Sequence, residues 1–115
     1  MVYKIGNIKD LDALPPTDES AKAMLYHYAS VLSSEYGEDR DVDRCDGGYI
    51  LYIAPHAEDQ EVKTYFDYSL RRMEYADRYG DMCCAVFLLN NEYAVIMVAR
   101  LCDMPAEITK DLVED

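Results

Sequence analysis

The fold is decided by the stretch MCCAVFLLNNEYAVIMVARL, residues 82–101. Two apolar runs flank Asn90-Asn91, and both are rich in the β-branched and aromatic residues that strands prefer. Asparagine tolerates the positive backbone φ that a two-residue hairpin turn requires. The pattern therefore predicts an antiparallel pair of strands over 82–89 and 92–101.

A two-residue turn also fixes a register for this pair, with Val86 opposite Val95 and Cys84 opposite Met97. One face of the pair would carry Met82, Cys84, Val86, Leu88, Tyr93, Val95 and Met97, and the other Cys83, Ala85, Phe87, Leu89, Ala94, Ile96 and Val98. Neither set alternates with polar residues, so both faces are predicted to be buried. Either helices cover both faces, or a second subunit covers one of them.

A helix is predicted over 18–36, towards the N-terminus from this pair. Thr17 has the character of an N-cap, and Gly37 supplies a C-terminal stop. Between them, apolar residues recur at the helical period of three to four positions. The spacing therefore indicates one amphipathic helix.

Three further elements lie between and after these. The run YILYIA at 49–54 predicts a strand that ends at Pro55, and the periodicity of 57–79 predicts a second helix, with a weaker stretch over 69–75 where it could break in two. A short closing helix is predicted after Pro105.

The predicted order is (β)-α-β-α-β-β-α in a single domain over 1–115, with residues 1–16 as an N-terminal arm. This is the α+β class: a small antiparallel sheet of three strands, two main helices and a short C-terminal helix. A fourth, N-terminal strand is left open.

The charge balance limits the partners that the protein can have. Twenty-three acidic residues against eleven basic ones give a net charge of −12. Direct binding to nucleic acid or to an anionic membrane requires a basic face, so neither is expected. Because the chain has no apolar run of about 20 residues and no signal-peptide core at its N-terminus, a cytoplasmic location is expected.

The cysteines do not predict a metal site or any other cofactor. The chain has four cysteines and no CxxC pair. In the predicted hairpin, Cys102 would lie about 13 Å along the strand from the residue opposite Cys83, which is too far to share a metal ion. Buried, reduced thiols are the expected state.

The stretch EDRDVDRCDGG, residues 38–48, begins like a calcium loop. An EF-hand that starts at its first Asp requires Gly at the sixth position and Glu at the twelfth, where this chain has Arg44 and Ile50. Two interpretations remain, a solvated loop and an acidic surface for a partner. The candidate partner-binding carboxylates are Asp39, Asp41, Asp43 and Asp46.

Tyrosines form the other candidate surface. The chain has eleven tyrosines and no tryptophan. On the predicted helix over 57–79, four of them follow a stripe beside the apolar one: Tyr65, Tyr68, Tyr75 and Tyr79. Tyrosine combines a large apolar area with a polar tip, which suits an interface, although the same stripe could flank a core.

The run from GGYILY through RYGDMCCAVFLLNNEYAV resembles small acidic uncharacterised proteins of Gram-positive bacterial mobile elements. The resemblance covers most of the chain but includes no functional motif. It implies an accessory or antagonist role, and it implies no activity and no site residue.

These observations favour a small acidic interaction protein without enzymatic activity, forming a homodimer. A sharper hypothesis is a decoy that occupies the groove of a basic nucleic-acid-binding protein. One alternative is a small enzyme that uses Cys45, His56 or carboxylates of the acidic stretch, although no catalytic motif is found. Another is a self-associating structural protein.

Overall fold

A computed structural model describes residues 1–14, 19–35, 48–89 and 93–110 of the chain. The strands are β1 Val2–Ile5, β2 Gly48–Ile53, β3 Met73–Tyr79, β4 Met82–Leu89 and β5 Tyr93–Arg100. The helices are α1 Glu19–Glu35, α2 Asp59–Tyr65 and α3 Ala106–Thr109, with two 3₁₀ helices at Ile8–Ala13 and Tyr68–Leu70.

The five strands form one mixed sheet in the order β1-β2-β5-β4-β3. Strands β2 and β5 are parallel, and every other neighbouring pair is antiparallel. The predicted α+β class is confirmed, and the N-terminal strand that the sequence left open is present as β1. The prediction of a purely antiparallel sheet of three strands is wrong. Residues 73–79 form the strand β3 rather than part of a helix, and the parallel pair of β2 and β5 joins segments that are far apart in the chain.

The helix predicted over 18–36 is confirmed as α1, and the strand predicted over 49–54 corresponds to β2. The helix predicted over 57–79 is wrong in its second half. It ends at Tyr65, and residues 73–79 form β3, which pairs with β4 across Gly80-Asp81. The backbone hydrogen bonds of this hairpin outweigh a local pattern that was compatible with a helix.

The register predicted for β4 and β5 is shifted by one residue. Val86 lies opposite Ile96, and Cys84 lies opposite Val98. Leu89 pairs with Tyr93, so three residues rather than two separate the strands. Because side chains alternate between the faces of a strand, this single step moves the whole of β5 to the opposite faces from those predicted.

Helices cover both faces of the sheet, as one of the two predicted options requires. We call the side of α1 the upper face and the side of α2 the lower face. The upper core consists of Ile5, Leu11, Leu14, Leu25, Tyr28, Ala29, Ile50, Tyr52, Cys84, Val86, Ile96 and Val98. The lower core consists of Val2, Leu51, Ile53, Val62, Phe66, Tyr68, Cys83, Ala85, Phe87, Val95, Met97, Ala99, Met104 and Ile108. In the described residues, neither face of the sheet is left uncovered as the homodimer prediction assumed, and homodimerisation itself stays a prediction.

Gly80 is required by the backbone of the β3–β4 hairpin. Its φ is 62°, at the first of the two loop residues, where type II′ turns prefer glycine. A Cβ added there would meet no atom within 4 Å, so the cost of a side chain is purely conformational.

We expect Gly80→Ala to lower the free energy of unfolding by about 1 kcal/mol, because the left-handed region disfavours a Cβ by roughly that amount. Gly6→Ala is the matched control, since a Cβ at Gly6 makes only an ordinary contact, 3.7 Å from Asp10. Urea unfolding of the three proteins measures both changes. Equal effects at the two glycines would contradict the assignment of the cost to φ.

Among the described residues, no helix is both long and apolar enough to cross a lipid bilayer.

Candidate interaction surface

The outermost strand β3 is the part of the sheet that differs most from the rest. It follows β4 in the sheet order and forms the edge opposite β1. Only Met73 and Ala76 are half-buried, and the five other residues of MEYADRY are exposed, whereas β4 and β5 are continuous apolar runs. This exposure follows from the position of β3, because an edge strand can leave polar side chains in water while its backbone pairs on one side.

Exposed apolar side chains concentrate on and just before this strand. Across the described residues, the exposed large hydrophobic side chains are Met1, Tyr26, Tyr65, Leu70, Tyr75 and Tyr79. Four of these six lie between residues 65 and 79. Leu70 is 78% exposed and directly precedes Arg71. Tyrosine, arginine and methionine are the residues enriched in protein interfaces, so the composition here favours a contact surface.

The charge of this surface is opposite to that of the chain. Residues 70–79 contain three arginines and two acidic residues, a net charge of +1. The remaining 105 residues contain twenty-one acidic and eight basic residues, a net charge of −13. We refer to residues 70–79 as the β3 surface.

The four candidate tyrosines do not share one helix face. Tyr65 is exposed at the end of α2, whereas Tyr68 is buried in the second 3₁₀ helix. Burial raises the pKa of Tyr68. Tyr75 and Tyr79 both lie on β3, where they pair with residues of the upper face. The predicted stripe is therefore wrong as a helical feature, and only Tyr75 and Tyr79 are brought together.

The candidate carboxylates Asp39, Asp41, Asp43 and Asp46 lie outside the described residues. Their role as a partner-binding row stays a prediction.

As far as residues 1–14, 19–35, 48–89 and 93–110 show, the edge at β1 is protected in a way that the edge at β3 is not. β1 has four residues, and the Val2 backbone N–H donates to the Glu61 carboxylate at 2.8 Å. The amino group of Met1 also lies 3.5 Å from that carboxylate. Short length and a capping side chain are common means of blocking an edge strand. β3 has seven residues and is therefore the more open edge.

A buried hydrogen bond joins α1 to β4 in the upper core. The thiol of Cys84 donates to the hydroxyl oxygen of Tyr28 at 2.8 Å. Burial raises the pKa of Tyr28. On β3, interaction with the Asp77 carboxylate raises the pKa of Tyr79.

The buried thiols are not prepared for nucleophilic chemistry. Burial raises the pKa of Cys83 to about 11, and burial also raises the pKa of Cys84. Both are therefore protonated at neutral pH, whereas a nucleophile reacts as the thiolate. Cys102 is exposed, and Cys45 lies outside the described residues.

The groups named for an enzymatic alternative are not assembled in the described part of the chain. His56 is exposed, and its backbone N–H, rather than its imidazole, donates to the Asp103 carboxylate at 3.3 Å. Asp103 also accepts a hydrogen bond from Arg100 at 3.0 Å. Within residues 1–14, 19–35, 48–89 and 93–110, no three His, Cys, Asp or Glu side chains are grouped as a metal site requires.

A pocket of about 240 Å³ lies on the lower side, between the second 3₁₀ helix and α3. It is lined by Tyr68, Ser69, Arg71, Met73, Phe87, Glu107, Ile108 and Lys110. Because its lining carries charges of both signs, it indicates no single class of ligand.

Sequence reasoning missed the open edge because it assigned β3 to a helix. The signal was present in RYGDM, residues 78–82, where glycine and aspartate precede an apolar strand. A glycine and an aspartate between two strand-like runs are typical of a two-residue hairpin.

In comparisons with known proteins, no family model, no curated protein and no solved structure matches the chain.

Proposed function

We propose that this chain is a small interaction protein without enzymatic activity, and that it binds a protein partner through the β3 surface. The observation that carries the proposal is the concentration of exposed Leu70, Tyr75 and Tyr79 on and just before β3, an edge strand that is open in the described part of the chain. Elsewhere in the described sheet, helices cover both faces.

Strand addition is the binding mode that fits this surface. An extended segment of a partner would pair with the outward backbone groups of β3, as peptides do when they extend a sheet. Main-chain hydrogen bonds would supply affinity, and contacts with Tyr75 and Tyr79 would supply specificity.

A second candidate function rests on the net charge of −12. An acidic protein of this kind is suited to act as a decoy for a basic nucleic-acid-binding protein. The contacts would then involve the candidate carboxylates Asp39, Asp41 and Asp43, and association would weaken as salt screens them. This function uses a different part of the chain, so separate variants test the two.

The enzymatic alternative receives less support. Of the residues named for it, Cys45 and the carboxylates of residues 38–46 lie outside the described residues, and His56 is exposed and contacts Asp103 through its backbone N–H. The two buried thiols give it no help either, because burial raises the pKa of both Cys83 and Cys84.

Affinity capture from the source organism, with partners quantified by mass spectrometry, tests the proposal. We expect Leu70→Ser combined with Tyr75→Ser to reduce the captured partner about tenfold or more, as expected when interface anchors are removed. Tyr26→Ser is the matched control, because Tyr26 is 52% exposed on α1, away from β3. Circular dichroism establishes that each variant is folded.

Two other outcomes have distinct meanings. Undiminished capture by the Leu70/Tyr75 variant would refute a role of the β3 surface. Loss of capture only in the triple variant Asp39→Asn, Asp41→Asn and Asp43→Asn, together with loss at high salt, would favour the decoy function instead.

A further inference from the structure

The β3 surface has features that define its occupant, if it binds partners as proposed above. We propose that β3 pairs antiparallel with β3 of a second copy of this chain, centred on Ala76, so that two five-stranded sheets join into one. The inference rests on the proposed function and names the partner.

The sheet leaves one place for such a contact in the described part of the chain. α1 covers the upper face, and α2 and the C-terminal segment cover the lower face. The edge at β1 is short and capped by Glu61. Edge-to-edge pairing at β3 therefore remains, and a two-fold axis at Ala76 is the simplest closed arrangement.

Local charge also favours a second copy at this edge. Two chains of net charge −12 repel each other, and the repulsion is smallest where the local charge is not negative. Residues 70–79 have a net charge of +1, in contrast to −13 for the remaining residues. Two copies can therefore approach at β3 with less repulsion than their net charge of −12 would suggest.

The sequence of β3, MEYADRY, is complementary to itself in one register. With Ala76 opposite Ala76, Glu74 of each copy faces Arg78 of the other, so opposite charges pair twice. Tyr75 likewise faces Asp77 of the other copy, and both side chains lie on the upper face. Glu74 is the bulged residue between Met73 and Tyr75 and has no partner in β4, so it lies at the end of this pairing, whereas residues 75–79 pair regularly with β4.

Two neighbouring registers would also place side chains of the same sheet face opposite each other, and both are unfavourable. Centring on Asp77 would place two aspartates opposite each other, and centring on Tyr75 would place Arg72 opposite Arg78 twice. Like charges directly opposite on paired strands are destabilising. The Ala76 register is therefore selected by charge.

Sedimentation equilibrium over 1–500 μM (roughly the range in which transient interfaces dissociate) tests the inference. We expect the wild-type chain to dimerise. Glu74→Arg and Arg78→Glu should each raise the dimer dissociation constant about tenfold, because each places like charges opposite each other twice. The double variant Glu74→Arg/Arg78→Glu restores opposite charges and should return the constant to near the wild-type value.

Repulsion between the net charges of the two chains predicts the opposite effect of Glu74→Arg on the dimer, so this variant distinguishes the two explanations. This substitution changes the net charge from −12 to −10 and would strengthen the dimer if only overall repulsion mattered. Lys9→Glu matches the charge change of Arg78→Glu at an exposed position of the first 3₁₀ helix, and it should leave the dimer within about twofold of wild type.

The remaining outcomes overturn the inference. A monomer throughout the concentration range excludes a second copy, while the capture experiment with Leu70 and Tyr75 variants still decides whether β3 binds another protein. A dimer that both single variants weaken but the double variant does not restore, or that neither variant affects, excludes the Ala76 register.

Discussion

Phe87→Ala is expected to lower the free energy of unfolding by about 3–5 kcal/mol, the range typical of a buried phenylalanine replaced by alanine. Phe87 lies in β4 and is 1% exposed within the lower core. Its ring meets that of Phe66 edge to face, with centroids 5.2 Å apart. The substitution therefore removes both apolar burial and an aromatic pair. It also leaves a cavity that β4 cannot fill by shifting, because β4 is hydrogen-bonded to β3 on one side and to β5 on the other.

Urea unfolding measures this change, and Leu70→Ala is the control. Leu70 is a large apolar residue at the end of the second 3₁₀ helix, just before β3. Because it is exposed, its replacement should change the free energy of unfolding by less than about 0.5 kcal/mol. A loss below about 1.5 kcal/mol for Phe87→Ala would contradict the central position of Phe87 in the lower core.

Leu25→Ala should destabilise the protein by about 2–5 kcal/mol, by the same transfer and cavity terms. Leu25 is fully buried between α1 and the sheet, in the upper core. Tyr26, the next residue in the helix, is 52% exposed and gives a matched control, because Tyr26→Ala alters the same helical turn without opening the core. Chemical denaturation of both variants would show a large loss at position 25 and a small one at position 26.

Equal losses at the two positions would mean that α1 does not pack on the sheet through Leu25. The lower end of the expected range applies if the helix shifts towards the sheet and fills part of the cavity, which a helix can do more easily than β4 in the centre of a ladder. For this reason the effect at Leu25 is expected to be smaller than that at Phe87.

The candidate surface was predicted only in part from the sequence. Tyr75 and Tyr79 were selected, but for a helical spacing that the structure does not have. Their grouping with Leu70 and Arg78 depends on β3 being an edge strand, and the sequence pattern of 57–79 did not reveal the edge. The hydrogen bond between Cys84 and Tyr28 joins residues 56 positions apart, so no local pattern could indicate it.

The sequence by itself determined the elements whose residue preferences and periodicity agree: the helix α1, the apolar strands β2, β4 and β5, and the α+β class. Continuous apolar runs were sufficient to predict that both faces of the sheet are buried, because a wet face would need polar residues at every second position.

Only the tertiary structure decided the register of β5, the conversion of 73–79 into a strand, and the parallel pairing of β2 with β5. The physical reason is the same in each case. A strand is completed by hydrogen bonds to a neighbour that can be distant in the chain, and one residue more or less in a connecting loop exchanges its two faces. Local sequence limits these choices, and the packing of α1 and α2 against the sheet selects among them.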